Sequence, residues 1–170
     1  MHTRHIVVEK YDPQWKDDFK QIEKEIVAAV GGMIISVEHI GSTSVEGLSA
    51  KPIIDIDVVI KDGAVLRQVI SALSSIGYIH EGDLGIVGRE AFKYSDKPHL
   101  KTHHLYVCVQ DCEELHRHIT FRNYLRTHPD AVAEYSRVKE EAASLFPYSI
   151  ERYMRHKASC IEDIYKMCGL

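Results

Sequence analysis

The spacing of apolar residues predicts that the chain begins with an amphipathic helix and then enters a sheet. Asp12 is a good N-cap residue and Pro13 a good first helical residue, and apolar side chains follow at helical spacing as far as Val30, where two glycines end the helix. Residues 6–9 are a candidate short strand before this helix, and the β-branched run 33–40 predicts a longer strand after it.

The segment 53–60 predicts a strand with two different faces. Because successive side chains on a strand alternate between its faces, Asp55 and Asp57 lie together on one of them. The opposite face is apolar and carries Ile54, Ile56, Val58 and Ile60. The loop of small residues that precedes this strand, 41–52, is long for a connection between two elements.

Three more strands complete the predicted sheet. They follow a helix over 64–76, and they cover residues 78–81, 89–94 and 103–109. On the last of them, alternation turns His104 and Tyr106 toward the face that carries the aspartates.

The pattern from residue 111 onward is helical. Asp111 and Glu114 resemble a capping box for a helix that runs to about Arg126. Two further helices are expected, from Pro129 to about Leu145 and from Ser149 almost to the end of the chain. We therefore predict one α+β domain over 1–170, with the short mixed sheet in 1–110 and a helical tail, 111–170, packed on it.

Composition narrows the class of protein. The chain has 170 residues, of which 45% are hydrophobic, and this excludes collagen, low-complexity disorder and disulfide miniproteins. Its formal net charge of −4 gives no basic field, so nucleic acid is not an expected partner. The four cysteines form no C-x-x-C pair, and no apolar run is long enough to span a membrane, so we expect a reduced cytoplasmic protein without a membrane partner.

The strongest chemical signal is the pair Asp55 and Asp57. Two carboxylates on one face of an apolar strand repel each other and lose hydration. This arrangement is energetically costly unless a cation or basic group compensates the charge. Mg²⁺ is typically held by one or two carboxylates together with substrate phosphates. The alternative is that this face of the sheet is simply solvated.

A Gly-Ser turn strengthens the metal and phosphate interpretation. Gly41 and Ser42 follow the strand that is expected beside the aspartates, and twelve residues separate Ser42 from Asp55. Such a turn lets backbone N–H groups and a hydroxyl approach a phosphate closely.

The sequence around the two aspartates resembles that of the polymerase-β-type nucleotidyltransferase superfamily, because an apolar residue, Gly-Ser and a spacer precede Asp-apolar-Asp. The stretch from His39 to Asp57 looks like the signature of its GrpB-like family. Further matches are Tyr11-Asp-Pro-Gln-Trp15, Gly85-Ile-Val-Gly-Arg89, Thr102-His-His-Leu105 and Phe121-Arg-Asn-Tyr-Leu-Arg-Thr-His-Pro129.

The resemblance implies a minimal nucleotidyltransferase fold and a metal-dependent reaction. Gly41 and Ser42 would hold nucleotide phosphates with help from Ser44, and Asp55 and Asp57 would bind Mg²⁺ or Mn²⁺. A nucleotidyl group would pass from a nucleoside triphosphate to a hydroxyl or phosphate acceptor. Related domains fused to dephospho-CoA kinases imply the alternative, a protein that binds a nucleotide or a CoA-like ligand without turnover. The acceptor, the nucleotide base and the oligomeric state stay open.

The superfamily usually adds a third carboxylate from a later strand, and this chain has none in 103–109. His104 is the candidate replacement, because an imidazole with an ordinary pKa near ~6.5 suits proton transfer at neutral pH. The missing acid is equally compatible with a site that binds nucleotides without turning them over.

Basic residues are expected to balance phosphate charge. Lys51, Arg89 and Arg122 are the candidates, although Arg122 is as well explained by a solvated helix face. Lys139 and Lys157 each follow a tyrosine by four residues, and for both we favour a solvated position.

The histidines predict no zinc site. His39 is placed beside the Gly-Ser turn, where it either orders the loop or contacts a phosphate. His116 and His118 lie on divergent faces of a helix and make a poor chelate.

Overall fold

A computed structural model describes residues 4–170. Five strands and two helices come first along the chain, and three further helices follow them. The helices are α1 (Gln14–Val30), α2 (Leu66–Ser75), α3 (Glu113–Arg126), α4 (Pro129–Leu145) and α5 (Ile150–Met167). The strands are β1 (Ser36–Ile40), β2 (Ile54–Ile60), β3 (Ile79–Gly82), β4 (Arg89–Lys93) and β5 (His103–Val109). Short 3₁₀ turns lie at Gly31–Met33, Ser42–Ser44 and Gly63–Val65.

The strands form one mixed sheet in the order β1-β2-β5-β4-β3. β2 and β5 are parallel, and the other neighbouring pairs are antiparallel. The parallel register sets Asp55 beside His104 and Asp57 beside Tyr106. The α+β class and the mixed sheet expected from the sequence are thus confirmed.

The main core lies on the apolar face of β2, where α1 and α2 pack. Trp15, Ile22 and Ile26 of α1 are almost fully buried against it. The opposite face carries the aspartates and is approached by α3, α4 and α5. A second apolar cluster joins the loop after β1 to the helical tail through Val45, Leu48, Leu125, Tyr135 and Ile164. This packing closes the tail over the acidic face.

The ends of several elements differ from expectation. Residues 6–9 form no strand, because their hydrogen bonds go to two separate segments: Ile6 donates to Pro147 and Glu9 exchanges bonds with Ala50. The strand expected over 33–40 begins only at Ser36, since a 3₁₀ turn follows α1.

Two helix starts are shifted by one residue. α1 has Pro13 as its N-cap rather than Asp12, although the Asp12 carboxylate accepts a hydrogen bond from the Gln14 amide at 2.9 Å. The expected capping box of Asp111 and Glu114 is wrong. Helix α3 has Cys112 as its N-cap, because Cys112 and Leu115 are buried with Val59 and Cys108 and fix where the helix begins. The cap expected at Ser149 is confirmed, since its hydroxyl accepts from the Arg152 amide at 3.3 Å.

Within residues 4–170, no helix combines the length and the apolar character that crossing a membrane requires.

Candidate functional site

Asp55 and Asp57 share one face of β2, as alternation predicts, but their surroundings differ. The Asp55 side chain is 32% exposed and accepts a hydrogen bond from His104 Nδ1 at 2.9 Å. Asp57 is fully buried, and its Oδ2 accepts from His118 Nδ1 at 2.7 Å. Its Oδ1 has no hydrogen-bond partner among the described residues. The pair therefore combines one accessible carboxylate with one that is enclosed and only half satisfied.

His104 takes the place predicted for it. A carboxylate only accepts hydrogen bonds, so in a neutral His104 ring the nitrogen that faces Asp55 carries the proton and Nε2 is the acceptor. The ring is half exposed, with 53% of its side chain accessible. This geometry lets Nε2 receive a proton from a bound molecule.

His118 is a site residue that the sequence reasoning missed. It reaches from α3 to Asp57, and its Nε2 lies 3.1 Å from Glu114 Oε1 one turn earlier. Burial opposes charge on this ring, yet the hydrogen bond and charge of Asp57 raise the pKa of His118. Burial in turn raises the pKa of Asp57, and His118 opposes that rise. One feature of the sequence could have indicated this role: Glu114 and His118 are four residues apart, which places both on one helix face.

The loop after β1 passes directly beside Asp55 because residue 41 is glycine. Gly41 has φ +72°, and a Cβ there would lie 3.0 Å from the Asp55 Cβ and closer still to its carboxylate. The loop is tied to itself by the Ser44 hydroxyl, which donates to the Gly41 carbonyl at 2.5 Å, and by a 2.9 Å bond between His39 Nε2 and Thr43 Oγ1.

Two residues of this region, Ser44 and His39, therefore have partners within the protein. Ser44 is 7% exposed and its hydroxyl donates to the Gly41 carbonyl, so the expected phosphate contact of Ser44 finds no support. Of the two roles open for His39, the structure shows the ordering of the loop. Burial lowers the pKa of His39 to about 4, which leaves a neutral ring stacked on Phe19.

The helical tail brings two lysines to the site, and the solvated position favoured for them is wrong. Lys139 is 3% exposed and Lys157 8%. Lys139 Nζ donates to the Ser42 hydroxyl, and each ammonium lies 4.7 Å from the centre of the tyrosine ring that precedes it by four residues. The tyrosines are buried against the rest of the protein, so they draw the lysines on the same helix face inward.

These lysines line a cavity of about 220 Å³, which we call the lysine cavity. Lys51 joins them there, with its ammonium 5.7 Å from the centre of the Tyr153 ring. Ser42, Asp55 and His104 complete the polar wall.

Charge in the lysine cavity is poorly compensated. Burial, and next the neighbouring Lys157, lower the pKa of Lys139. Burial and the charge of Lys51 lower the pKa of Lys157 to about 8. Among the described residues neither lysine forms an ion pair, in contrast to Lys10 and Lys16. A bound anion would supply the missing countercharge.

The structure separates the two arginines that were expected with Lys51. Arg89 lines a second cavity, of about 210 Å³, on the other side of Asp55. Arg122 lines neither cavity: its guanidinium pairs with Glu38 at 2.9 Å and donates to the His39 carbonyl at 3.0 Å. Arg122 thus holds α3 against β1, and the phosphate contact expected of it finds no support.

The oxygen atoms present at the acidic pair fit a hard divalent cation. Asp57 Oδ1 is a buried carboxylate oxygen without a partner, and Asp55 keeps one oxygen free of histidine. In the described part of the chain, no three His, Cys, Asp or Glu side chains form a ready-made ligand set. Mg²⁺ commonly takes the rest of its ligands from water and substrate phosphates.

Comparison with known proteins places the chain in a family. The family model described as "GrpB protein" matches residues 5–167. The chain belongs to the GrpB family. It is 32% identical over 159 residues to the UPF0157 protein YqkA of Bacillus subtilis, covering 94% of this chain but only 46% of that relative. A dephospho-CoA kinase of Mycolicibacterium paratuberculosis is 24% identical over 178 residues, which are 91% of this chain and 44% of the kinase.

Solved structures agree with this membership of the GrpB family. A GrpB protein from Enterococcus faecalis superposes with a TM-score of 0.83 and 34% identity over 95% of this chain and 96% of that one. The Cid1 poly(U) polymerase, in a structure bound to MgATP, superposes with a TM-score of 0.56 and 9% identity over 79% of this chain and 44% of Cid1. The second likeness shows the fold alone, which is that of the nucleotidyltransferases.

Proposed function

We propose that this protein transfers a nucleotidyl group from a nucleoside triphosphate to a hydroxyl or phosphate acceptor and releases pyrophosphate. The observation that carries the proposal is the pair of buried lysines, Lys139 and Lys157, which line the lysine cavity together with Asp55. Buried cations beside a carboxylate pair form a site for phosphates that bring a divalent cation with them.

The lysine cavity suits the phosphate chain of the donor. Its volume of about 220 Å³ is too small for a whole nucleotide, since drug-sized ligands usually occupy ~300–1,000 Å³. The ammonium groups would hold the β- and γ-phosphates, and the Ser42 hydroxyl would donate to them. These contacts stabilise the pyrophosphate as it leaves.

Asp55 and Asp57 would hold Mg²⁺ or Mn²⁺. When bound, the ion neutralises phosphate charge and orients the α-phosphate for in-line attack. His118 fixes the Asp57 carboxylate through its 2.7 Å hydrogen bond, so the protein holds one ligand in place before substrate arrives.

His104 would accept the proton of the acceptor hydroxyl. Its Nδ1–H bond to Asp55 orients the ring and leaves Nε2 available. The acceptor oxygen then forms a bond to the α-phosphorus, the bond to the bridging oxygen breaks, and pyrophosphate departs. The proton ends on His104 Nε2.

A second candidate is ligand binding without turnover. Its support is that Asp55 is the only carboxylate among residues 4–170 that lines either cavity, and that Asp57 is fully enclosed. The phosphates of a nucleotide or of a CoA-like molecule would then occupy the lysine cavity, and the rest of the ligand would lie outside it. The similarity to part of a dephospho-CoA kinase makes CoA a ligand worth testing.

The test combines binding and turnover. ATP, GTP, CTP, UTP and CoA are added to the full chain with and without Mg²⁺ or Mn²⁺, and both thermal shift and pyrophosphate release are measured. We expect a metal-dependent shift with at least one triphosphate, lost in Asp55→Ala and in Lys139→Met. Asp96→Ala and Lys20→Met remove the same charges from exposed positions and should behave like wild type.

The outcomes separate the two candidates. Pyrophosphate release in the presence of a suitable hydroxyl or phosphate compound, abolished by Asp55→Ala, supports the transferase. A metal-dependent shift without release against a broad acceptor panel supports the binding protein. Turnover that survives Asp55→Ala, or no shift with any ligand, contradicts the proposal.

A further inference from the structure

The second cavity beside Asp55 is built from arginines and aromatic rings, and we call it the arginine cavity. It has a volume of about 210 Å³ and is lined by Arg89, Arg117, Tyr106, Phe121, Tyr165 and Asp55, among others. Asp55 lines both cavities, whereas none of the three lysines reaches this one. The two cavities therefore meet at the carboxylate that the proposed chemistry uses.

Both guanidinium groups lie over aromatic rings. Arg89 lies 4.4 Å from the centre of the Tyr106 ring, and Arg117 lies 4.8 Å from that of Tyr165. A guanidinium over an aromatic face keeps its in-plane N–H donors free for bidentate contacts. Planar or tetrahedral oxyanions, carboxylate and phosphate, match that arrangement.

Neither arginine has a carboxylate partner within the described residues. Arg122, Arg137 and Arg155 each form an ion pair, but Arg89 and Arg117 form none. The Nε of Arg89 is enclosed and makes no hydrogen bond to residues 4–170. A buried donor without a partner is costly, so this wall of the cavity favours a ligand that accepts hydrogen bonds.

We propose that the acceptor carries a phosphate or carboxylate group, and that this group binds between Arg89 and Arg117 in the arginine cavity. The inference rests on the proposed function, since it assigns the second substrate of the same reaction. The anionic group lies at the guanidinium groups, because the Asp55 carboxylate that lines the same cavity repels it. The reacting oxygen of the acceptor then lies toward Asp55, where the two cavities meet.

The test uses one small probe for each cavity. Phenyl phosphate and benzoate carry the two candidate anionic groups on an aromatic ring, and tripolyphosphate represents the donor phosphates. Each is titrated calorimetrically into the full chain, and phenyl phosphate and benzoate are titrated again after saturation with tripolyphosphate and after saturation with ATP. Phenyl phosphate binding without benzoate binding assigns a phosphate, and the reverse assigns a carboxylate.

The variants separate the cavities. Arg89→Gln and Arg117→Gln should each weaken the anionic ring compound by about tenfold or more, as expected for a lost charged hydrogen bond, and leave tripolyphosphate unchanged. Lys139→Met should weaken tripolyphosphate binding and leave the binding of the anionic ring compound unchanged. Arg67→Gln removes an exposed arginine of α2 and is the matched control. Arg89→Lys and Arg117→Lys keep the charge, should restore part of the affinity, and report on the site if a glutamine variant fails to fold.

Each failure has its own signature. If the full chain binds a ring compound but not tripolyphosphate, the donor site is contradicted and the acceptor assignment is not. Absence of binding by both ring compounds, or binding unchanged in both glutamine variants, overturns the acceptor assignment. Displacement of the bound ring compound by ATP also overturns it, because the cavity would then belong to the donor nucleotide.

Discussion

Gly41 is the residue at which the site tolerates least change. Its backbone angles, φ +72° and ψ −174°, lie in a region that residues with a Cβ rarely adopt. The close approach of the Asp55 side chain leaves no space for a methyl group. Conformation and contact thus both require glycine here.

Gly41→Ala should lower the free energy of unfolding by about 2–3 kcal/mol, because it combines backbone strain with a steric clash. Urea denaturation measures this change, and pyrophosphate release should fall with it. Gly32→Ala is the control, since a Cβ at Gly32 meets nothing within 4 Å. Equal stabilities for the two variants would contradict the strain argument.

The buried lysines give the protein an alkaline pH dependence. The pKa of Lys157 is about 8 in the folded protein and near the ordinary 10.5 in the unfolded chain. Between these values the unfolded chain binds more protons, so the free energy of unfolding should rise with pH, by roughly 1–3 kcal/mol. Below pH 8 both states are protonated and this contribution is flat.

Chemical denaturation of wild type and Lys157→Met from pH 7 to 10.5 measures that rise. Comparing the two proteins removes the pH dependence that arises from the groups common to both. Wild type should gain stability relative to the variant as pH increases, while Lys20→Met should follow wild type. A difference that does not change with pH would show that Lys157 keeps an ordinary pKa.

At the scale of elements, α3 fixes the geometry of the acidic face. Arg126 donates to the Ser44 carbonyl through Nε at 3.1 Å and Nη2 at 2.9 Å, and Arg122 ties the same helix to β1. His118 of α3 meets Asp57. One helix therefore positions both the loop after β1 and the buried carboxylate.

Arg126→Leu should release the loop after β1, because the Ser44 carbonyl loses two charge-assisted hydrogen bonds. We expect a loss of about 1–3 kcal/mol and faster amide hydrogen exchange in residues 44–48. Arg152→Leu, at an exposed position of α5, is the matched change. Exchange confined to α3 itself would argue against a link between helix and loop.

Local patterns predicted the elements but only part of the site. Alternation along β2 and β5 is a property of the strands themselves, so it placed Asp55, Asp57 and His104 on one face correctly. His118 and Lys139 depend on how α3 and α4 pack across the sheet, and nothing within either helix encodes that crossing. Arg122 shows the same limit. The sequence placed it on a helix, but its partner Glu38 lies on β1, so the ion pair could not be predicted from the helix alone.

At the scale of the whole molecule, both halves of the chain contribute charged groups to one site. Asp55 and Lys51 of the lysine cavity come from the sheet half, and Lys139 and Lys157 come from the tail. The formal net charge of −4 conceals this concentration of positive charge. Neither half holds the complete set of groups.

A phosphate ligand should therefore stabilise both halves together. At a concentration one hundred times its dissociation constant, tripolyphosphate should add about 2.7 kcal/mol to the free energy of unfolding. Hydrogen exchange should slow in β2 and in α5 alike, and Lys139→Met combined with Lys157→Met should remove both effects. Protection limited to one half would show that the ligand binds elsewhere.

Mutation of the buried lysines should affect stability and activity in opposite directions. Replacing Lys139 or Lys157 with methionine removes an unpaired buried charge and fills the same space with apolar atoms, a change that commonly stabilises a protein. A library of this gene propagated under selection for folding alone should therefore lose these two lysines early. The same library grown where the activity is required should keep them, so their rate of loss would report whether a given host depends on the reaction.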